Sequence, residues 1–278
     1  MSKKLPSLNR KDGTSAPEIS PDLLFSPSEL YHENSKLHLS DRLRFAWIEY
    51  VNTSPDLHSI ISRPFPHYRG YPSVVLPREF PPTQCSFEEV LTERRSVREY
   101  SGAPLSLSAL AKILYLGDGV VQIRQQDDGI EWALRTAPSA GGLFPINLYC
   151  FALRVSELVA GLYFYNPARH CLVCLSEGDF TQPLIGATYL ESPLSKACVC
   201  IAISAVFPQM KFKYGERTYR FALLEAGHIA QNLLLAAQAE RLGAVPIGGF
   251  IDDQVNQLLK LDGVQEAVLY LVIIGSLG

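Results

Sequence analysis

Three short stretches hold the residues best suited to chemistry. Arg94, Arg95 and Arg98, with Ser96 between them, place three guanidinium groups and a hydroxyl within five residues. Guanidinium groups take phosphate oxygens two at a time and a hydroxyl adds a short donor, so this set suits an anion. The same arginines could instead finish a solvated helix by pairing with Glu93 and Glu99, and charge alone does not decide between the two. Pro138, Ser139, Ala140, Gly141 and Gly142 offer successive backbone amides without bulky side chains, which suits the polar edge of a planar ring, or simply a turn before a strand. In Pro246-Ile247-Gly248-Gly249 the paired glycines allow close backbone approach to a flat ligand, though a plain helix-to-strand connection reads the same way.

The element that must position them runs from Tyr219 to Arg241. It has no proline, only Gly227 inside it, and apolar side chains on nearly every face. That pattern predicts a helix buried all round, at a domain centre or a subunit interface. Glu225, His228 and Asn232 recur at helical spacing on one side, so they need polar partners there. Gly243 reads as the cap that ends the helix. Ser86 and Glu89 form a capping box for a helix that runs on into the arginine cluster, and Ser106 and Ser108 cap another over 109–116. Strands are expected over 146–153, 161–165, 171–175, 197–205 and 267–274, and Gln122 to Trp132 reads as a polar loop. Helices and strands mixed in this order make an α+β fold.

Composition narrows the classes. The chain has 278 residues, 47% hydrophobic, with a net charge of −3. That is enough apolar content for one large core, with no basic stripe for nucleic acid and no polybasic membrane anchor. No signal-peptide pattern or membrane-length apolar run occurs, so a cytoplasmic location is expected. Residues 1–85 are rich in proline and read as an irregular extension wrapping a domain of residues 86–278, with the first twenty or so mobile. Phe45 to Val51 could be a short helix or strand. Six cysteines lie mostly in strand-like runs, where Cys198 and Cys200 would share a face and Cys171 and Cys174 would not. Reduced buried thiols fit this better than a zinc site, so no metal is expected. Gly117 and Gly119 lack the rest of a dinucleotide-binding fingerprint, and neither a serine nucleophile elbow nor a zinc-protease motif is present.

Taken together, Arg94 to Arg98, Pro138 to Pro145 and Pro246 to Gly249 resemble the flavin-binding segments of the nitroreductase superfamily. Tyr31 to Lys36 and Tyr214 to Asn232 more narrowly resemble the SagB/McbC-type dehydrogenases, FMN-dependent azoline oxidases of thiazole- and oxazole-modified peptide biosynthesis. The resemblance covers about residues 30 to 275. It implies an antiparallel central sheet flanked by helices and a homodimer with a central helix and two FMN sites at its interface. Arg94, Ser96 and Arg98, with Arg95 beside them, would hold the phosphate and ribityl chain. Residues 138–142 would line the isoalloxazine, and Ile247 and Gly248, with Gly249, would face its reactive edge. Lys213 and Tyr214 fall where the family carries a catalytic pair, although by residue type alone they read as a solvated lysine and a packing tyrosine. The lysine needs a depressed pKa to act as base, through burial or a neighbouring cation, and Arg217 nearby in sequence would assist. Partners implied are a modified precursor peptide and the cyclodehydratase subunits of an azole synthetase, with electrons passing to oxygen. An NAD(P)H-dependent nitro- or quinone reductase and a flavin-free scaffold are the competing readings. Related nitroreductases often carry a basic residue after the last glycine-bearing strand, whereas 274–278 here has none.

Overall fold

The computed structural model describes residues 26–38, 41–54, 57, 68–125 and 131–278. Contacts divide the chain into residues 1–39 and residues 40–278. In the first unit the described part is helix α1 (Pro27–Asn34), capped by the Ser26 hydroxyl, which accepts from the Glu29 amide. The expected mobility of the first twenty residues lies outside the described residues.

The second unit is built on a seven-stranded sheet. Its strands are β1 (Ser73–Val75), β4 (Ile146–Ala152), β5 (Gly161–Asn166), β6 (Cys171–Glu177), β7 (Val199–Val206), β8 (Leu242–Ile247) and β9 (Glu266–Ser276). Their order is β1-β6-β5-β4-β7-β9-β8, and each neighbouring pair is antiparallel. Both faces are covered, so β4 and β5 read as continuous apolar runs and are buried throughout. The period of two divides the side chains. Val199, Ile201, Ile203 and Ala205 of β7 enter one core with α4 (Leu107–Asp118) and α8 (Thr218–Ala239). Cys200 and Ala202 enter the other, with α5 (Thr181–Thr188), α6 (Glu191–Lys196) and α9 (Asp252–Leu259).

Several expectations are corrected. Cys198 precedes β7 rather than belonging to it, so its side chain joins the first core while Cys200 joins the second. All six cysteines are free thiols. The capping box at Ser86 is present, but its helix α3 (Phe87–Glu93) ends at Glu93 instead of running through the arginines. Residues 122–132 are not a plain loop: β2 (Val120–Gln125) and β3 (Glu131–Arg135) pair as an antiparallel hairpin. The described residues of 41–85 include regular elements that the prolines did not suggest. Phe45 to Val51 lies inside helix α2 (Arg42–Thr53), and β1 extends the sheet edge. Val51 is fully buried against Leu143 and Met210, and the Trp47 indole donates to the Phe212 carbonyl at 2.7 Å.

Candidate active site

The predicted site residues fall into two groups, both toward the end of the sheet where β4 begins and β7 and β8 finish. Ile146 pairs with Ala205, Val206 with Glu266, and Ile247 with Leu271.

The first group is an exposed cationic edge. Beyond α3 the chain is extended, Ser96 forms a parallel bridge to Ala244 of β8, and the Val97 amide donates to the Ala244 carbonyl at 3.0 Å. Tyr100 fixes this segment from below, its buried hydroxyl donating to the carbonyls of Val97 and Ile273. The arginine segment and the run into Gly248 and Gly249 therefore start side by side and head the same way. Arg95 and Arg98 are exposed and Arg94 half-exposed, and among the described residues no carboxylate pairs with any of them. Their hydrogen bonds go to nearby carbonyls, Arg95 to Thr92 and Arg94, and Arg98 to Ser96. The pairing with Glu93 and Glu99 is thus not formed. A Cβ at Gly249 would meet nothing within 4 Å, and one at Gly248 would only touch the Tyr270 ring at 3.7 Å. The space before this backbone is open.

The second group is packed. Helix α7 (Pro208–Tyr214) ends in Lys213 and Tyr214, and the 138–144 turn lies against it. The Ser139 hydroxyl accepts from the Phe144 amide at 2.9 Å, closing the turn, and Gln209 of α7 donates to the Leu143 carbonyl at 2.6 Å. Gly141 has φ of 63°, and a Cβ there would lie 2.3 Å from the Tyr214 hydroxyl and 2.7 Å from Lys213 Nζ. The left-handed backbone favours glycine here, and any Cβ would also push aside the ends of the Lys213 and Tyr214 side chains. Lys213 is 4% exposed, and among the described residues its ammonium has no hydrogen bond or ion pair, only the Tyr214 ring at 5.3 Å. Burial, which disfavours the charged form, pulls its pKa below the ordinary lysine value. Arg217 is not what lowers it, contrary to the sequence-based expectation; its guanidinium lies over the Phe221 ring at 5.5 Å. Tyr214 packs edge-on against Phe221, and burial raises its pKa, keeping it a phenol.

Behind this turn lies a buried ionisable set that sequence reading did not assemble. Arg135 Nη1 pairs with Asp118 Oδ2 at 2.5 Å, both side chains almost wholly buried. Glu225 of α8 is 2% exposed, and no hydrogen bond of good geometry reaches either of its oxygens. Burial pushes its pKa up to about 8, partly opposed by the neighbouring Ser139 hydroxyl, and raises Asp118 to about 6 against the pull of Arg135. The missed signal was the hairpin: Val120 pairs with Arg135, which brings that arginine back to Asp118 at the end of α4.

Within one protomer helix α8 is not buried all round. Ala222, Glu225, Ala226, Ile229 and Leu233 face the core, whereas Leu223, Leu224 and His228 are exposed. The polar stripe is split accordingly. Glu225 is inside, His228 outside, and Asn232, half-buried, donates to the Gly117 carbonyl. No hydrogen bond or bridge among the described residues joins the cationic edge to the packed group. Among those residues no cluster could hold a metal ion, and no helix is long and apolar enough to cross a membrane.

The nitroreductase family model matches residues 91–276, which contain both groups. The chain is 33% identical over 178 residues to the nitroreductase-named protein MJ1384 of Methanocaldococcus jannaschii, covering 64% of this chain and 86% of that protein. It is 30% identical over 138 residues to the microcin B17-processing protein McbC of Escherichia coli, covering 46% of this chain and 49% of McbC. A solved nitroreductase-type structure from Anabaena variabilis superposes with a TM-score of 0.69 at 27% identity, over 89% of this chain and 45% of that one. The chain thus spans about half the length of McbC and of the Anabaena protein. FMN is the cofactor of the matching family. The residues present fit it: guanidinium groups without a carboxylate partner for a phosphate, an open diglycine edge, and a glycine turn against a buried lysine.

Proposed function

The chain belongs to the nitroreductase family, and from that premise we propose that it is an FMN-dependent dehydrogenase that oxidises thiazoline or oxazoline rings of a ribosomal precursor peptide to thiazoles or oxazoles. The observation that carries this reading is the buried, unpaired Lys213 ammonium against Gly141. A reductase that only relays hydride between nicotinamide and a small electrophile has no need of a desolvated lysine, whereas ring aromatisation removes a proton as well as a hydride. Similarity to McbC, a microcin-processing protein, supports the peptide as substrate.

Arg94, Arg95, Ser96 and Arg98 would hold the FMN phosphate and ribityl chain. Pro138 to Gly142 would line the isoalloxazine, with Ile247, Gly248 and Gly249 presenting backbone beside it. FMN, when bound, supplies the hydride acceptor. Burial lowers the Lys213 pKa and so favours the free amine, the form in which Nζ would take the proton from the ring carbon. Tyr214, a phenol, orients the ring through its hydroxyl, and the Gly141 turn holds Lys213 and Tyr214 against the substrate. Among the described residues no hydrogen bond or bridge joins the two groups, and Leu223 and Leu224 leave α8 with an exposed apolar stripe. Both features support a homodimer in which each cofactor site draws on both copies. Cyclodehydratase subunits that make the azoline are the further partners of this reading.

The test supplies FMN-loaded protein with an azoline-bearing peptide in air, without NAD(P)H, and weighs the product. Loss of two hydrogens per ring is expected. An inert peptide together with steady NAD(P)H consumption on a nitroaromatic would replace this reading with the reductase one, which the 33% identity to MJ1384 favours. A protein that stays colourless with FMN would instead favour a scaffold role.

A further inference from the structure

On the sheet face away from α8 there is a cavity of about 590 Å³, between β4–β6 and the end of α9. It belongs to neither group of the candidate active site. Its size falls within the usual range for small-ligand sites.

Its polar wall is one-sided in chemistry. Glu266, at the start of β9, has one carboxylate oxygen that accepts from Asn147 Nδ2 at 3.0 Å, Tyr149 Oη at 3.1 Å and Ser204 Oγ at 2.6 Å. Donors from two strands, β4 and β7, thus fix this carboxylate. The Tyr149 hydroxyl is spent on Glu266, so the Tyr68 hydroxyl, 3.1 Å away, must donate to Tyr149. Burial keeps Tyr149 a phenol, consistent with its role as donor. Ser176 spends its proton on the Glu177 carbonyl at 3.4 Å. Glu266, Tyr68 and Ser176 are left with acceptors only: Glu266 Oε2, which takes no hydrogen bond among the described residues, and lone pairs of the two hydroxyls; the donors in the lining, on Tyr71, Gln257 and Lys260, belong to exposed residues. Aromatic rings complete the wall, with Tyr68 edge-on to Tyr71 at 5.8 Å and Phe180 beside them in the lining. A fixed carboxylate with an open oxygen, set among aromatic faces, suits a donor-rich cation with an apolar body. Lys260, also in the lining, is exposed at the mouth, where water screens it.

We propose that this cavity is a second ligand site that takes a primary alkyl- or arylalkylammonium group, seated on Glu266 with its apolar body among Tyr68, Tyr71 and Phe180. The site stands independently of the redox reading. Two sources share this chemistry, a free amine and a lysine side chain of a peptide.

The test is calorimetric titration of the FMN-loaded protein with phenethylammonium, with 2-phenylethanol, and with a short lysine-containing peptide. Saturable binding of the amine or of the peptide, about tenfold or more tighter than the alcohol, is expected. Which of the two cations binds identifies the source. Glu266→Gln should weaken it by about tenfold or more, since the acceptor stays but the charge goes. Leu258→Trp, which fills the cavity, should abolish it in a protein whose melting temperature shows that it is folded. Equal binding of amine and alcohol, unchanged affinity in both variants, or no saturable binding by either cation would overturn the proposal.

Discussion

The two halves of the candidate site solve opposite problems. The edge formed by Arg94 to Arg98 and Gly248–Gly249 is exposed, cationic and open, and little in the protomer constrains its side chains. The Gly141–Lys213–Tyr214 cluster is the reverse: contact dictates its residue types, and its charges are weakened by burial. A cofactor phosphate needs full, accessible charge, whereas a base working near neutral pH needs a charge that is costly to keep. In the proposed reading exposure would supply the first and desolvation the second.

The sharpest contrast is between two glycines. Gly141→Val should destabilise the protein by roughly 3 kcal/mol, because it adds a clash to a left-handed backbone, and chemical denaturation will measure it. Next in size, Arg94→Ala with Arg98→Ala should raise the FMN Kd by roughly 10- to 100-fold and flatten its salt dependence, with the melting temperature of the apoprotein unchanged. A Kd indifferent to both would remove the edge from the cofactor site. Third comes Glu225. Its folded pKa of about 8 lies above its ordinary 4.5, so the native state holds a proton that the unfolded chain releases. Stability from this group is present below pH 4.5 and falls between there and about pH 8, with a slope of at most about 1.4 kcal/mol per pH unit. Glu225→Gln should flatten that decline, as read by denaturation at several pH values. Smallest is Gly249→Ala, which should change stability by less than ~0.5 kcal/mol while weakening FMN. Equal stability losses at 141 and 249 would erase the distinction between the halves.

Much of this was legible in the chain itself. β4, β7 and β9 are long apolar runs buried on both faces, so their positions came within two residues. The site glycines were visible as pairs beside proline. What stayed hidden depended on tertiary pairing. Arg94 to Arg98 continue a good capping box and so read as helix, yet Ser96 and Val97 are taken up by β8. Asp118 and Arg135 are seventeen positions apart, and only the hairpin register brings them together. The Lys213 shift was expected from burial or a neighbouring cation; burial acts, whereas Arg217, near only in sequence, does not. A helix apolar on nearly every face implies burial, but the face carrying Leu223 and Leu224 has no cover within one protomer.

The role of the buried lysine is tested most directly by Lys213→Ala, loaded with FMN and mixed with azoline peptide in a single turnover. The account predicts an unchanged flavin absorbance spectrum and a rate lower by roughly 10²- to 10⁴-fold, the usual worth of a general base. Full azole-forming activity in that FMN-bound variant would contradict it.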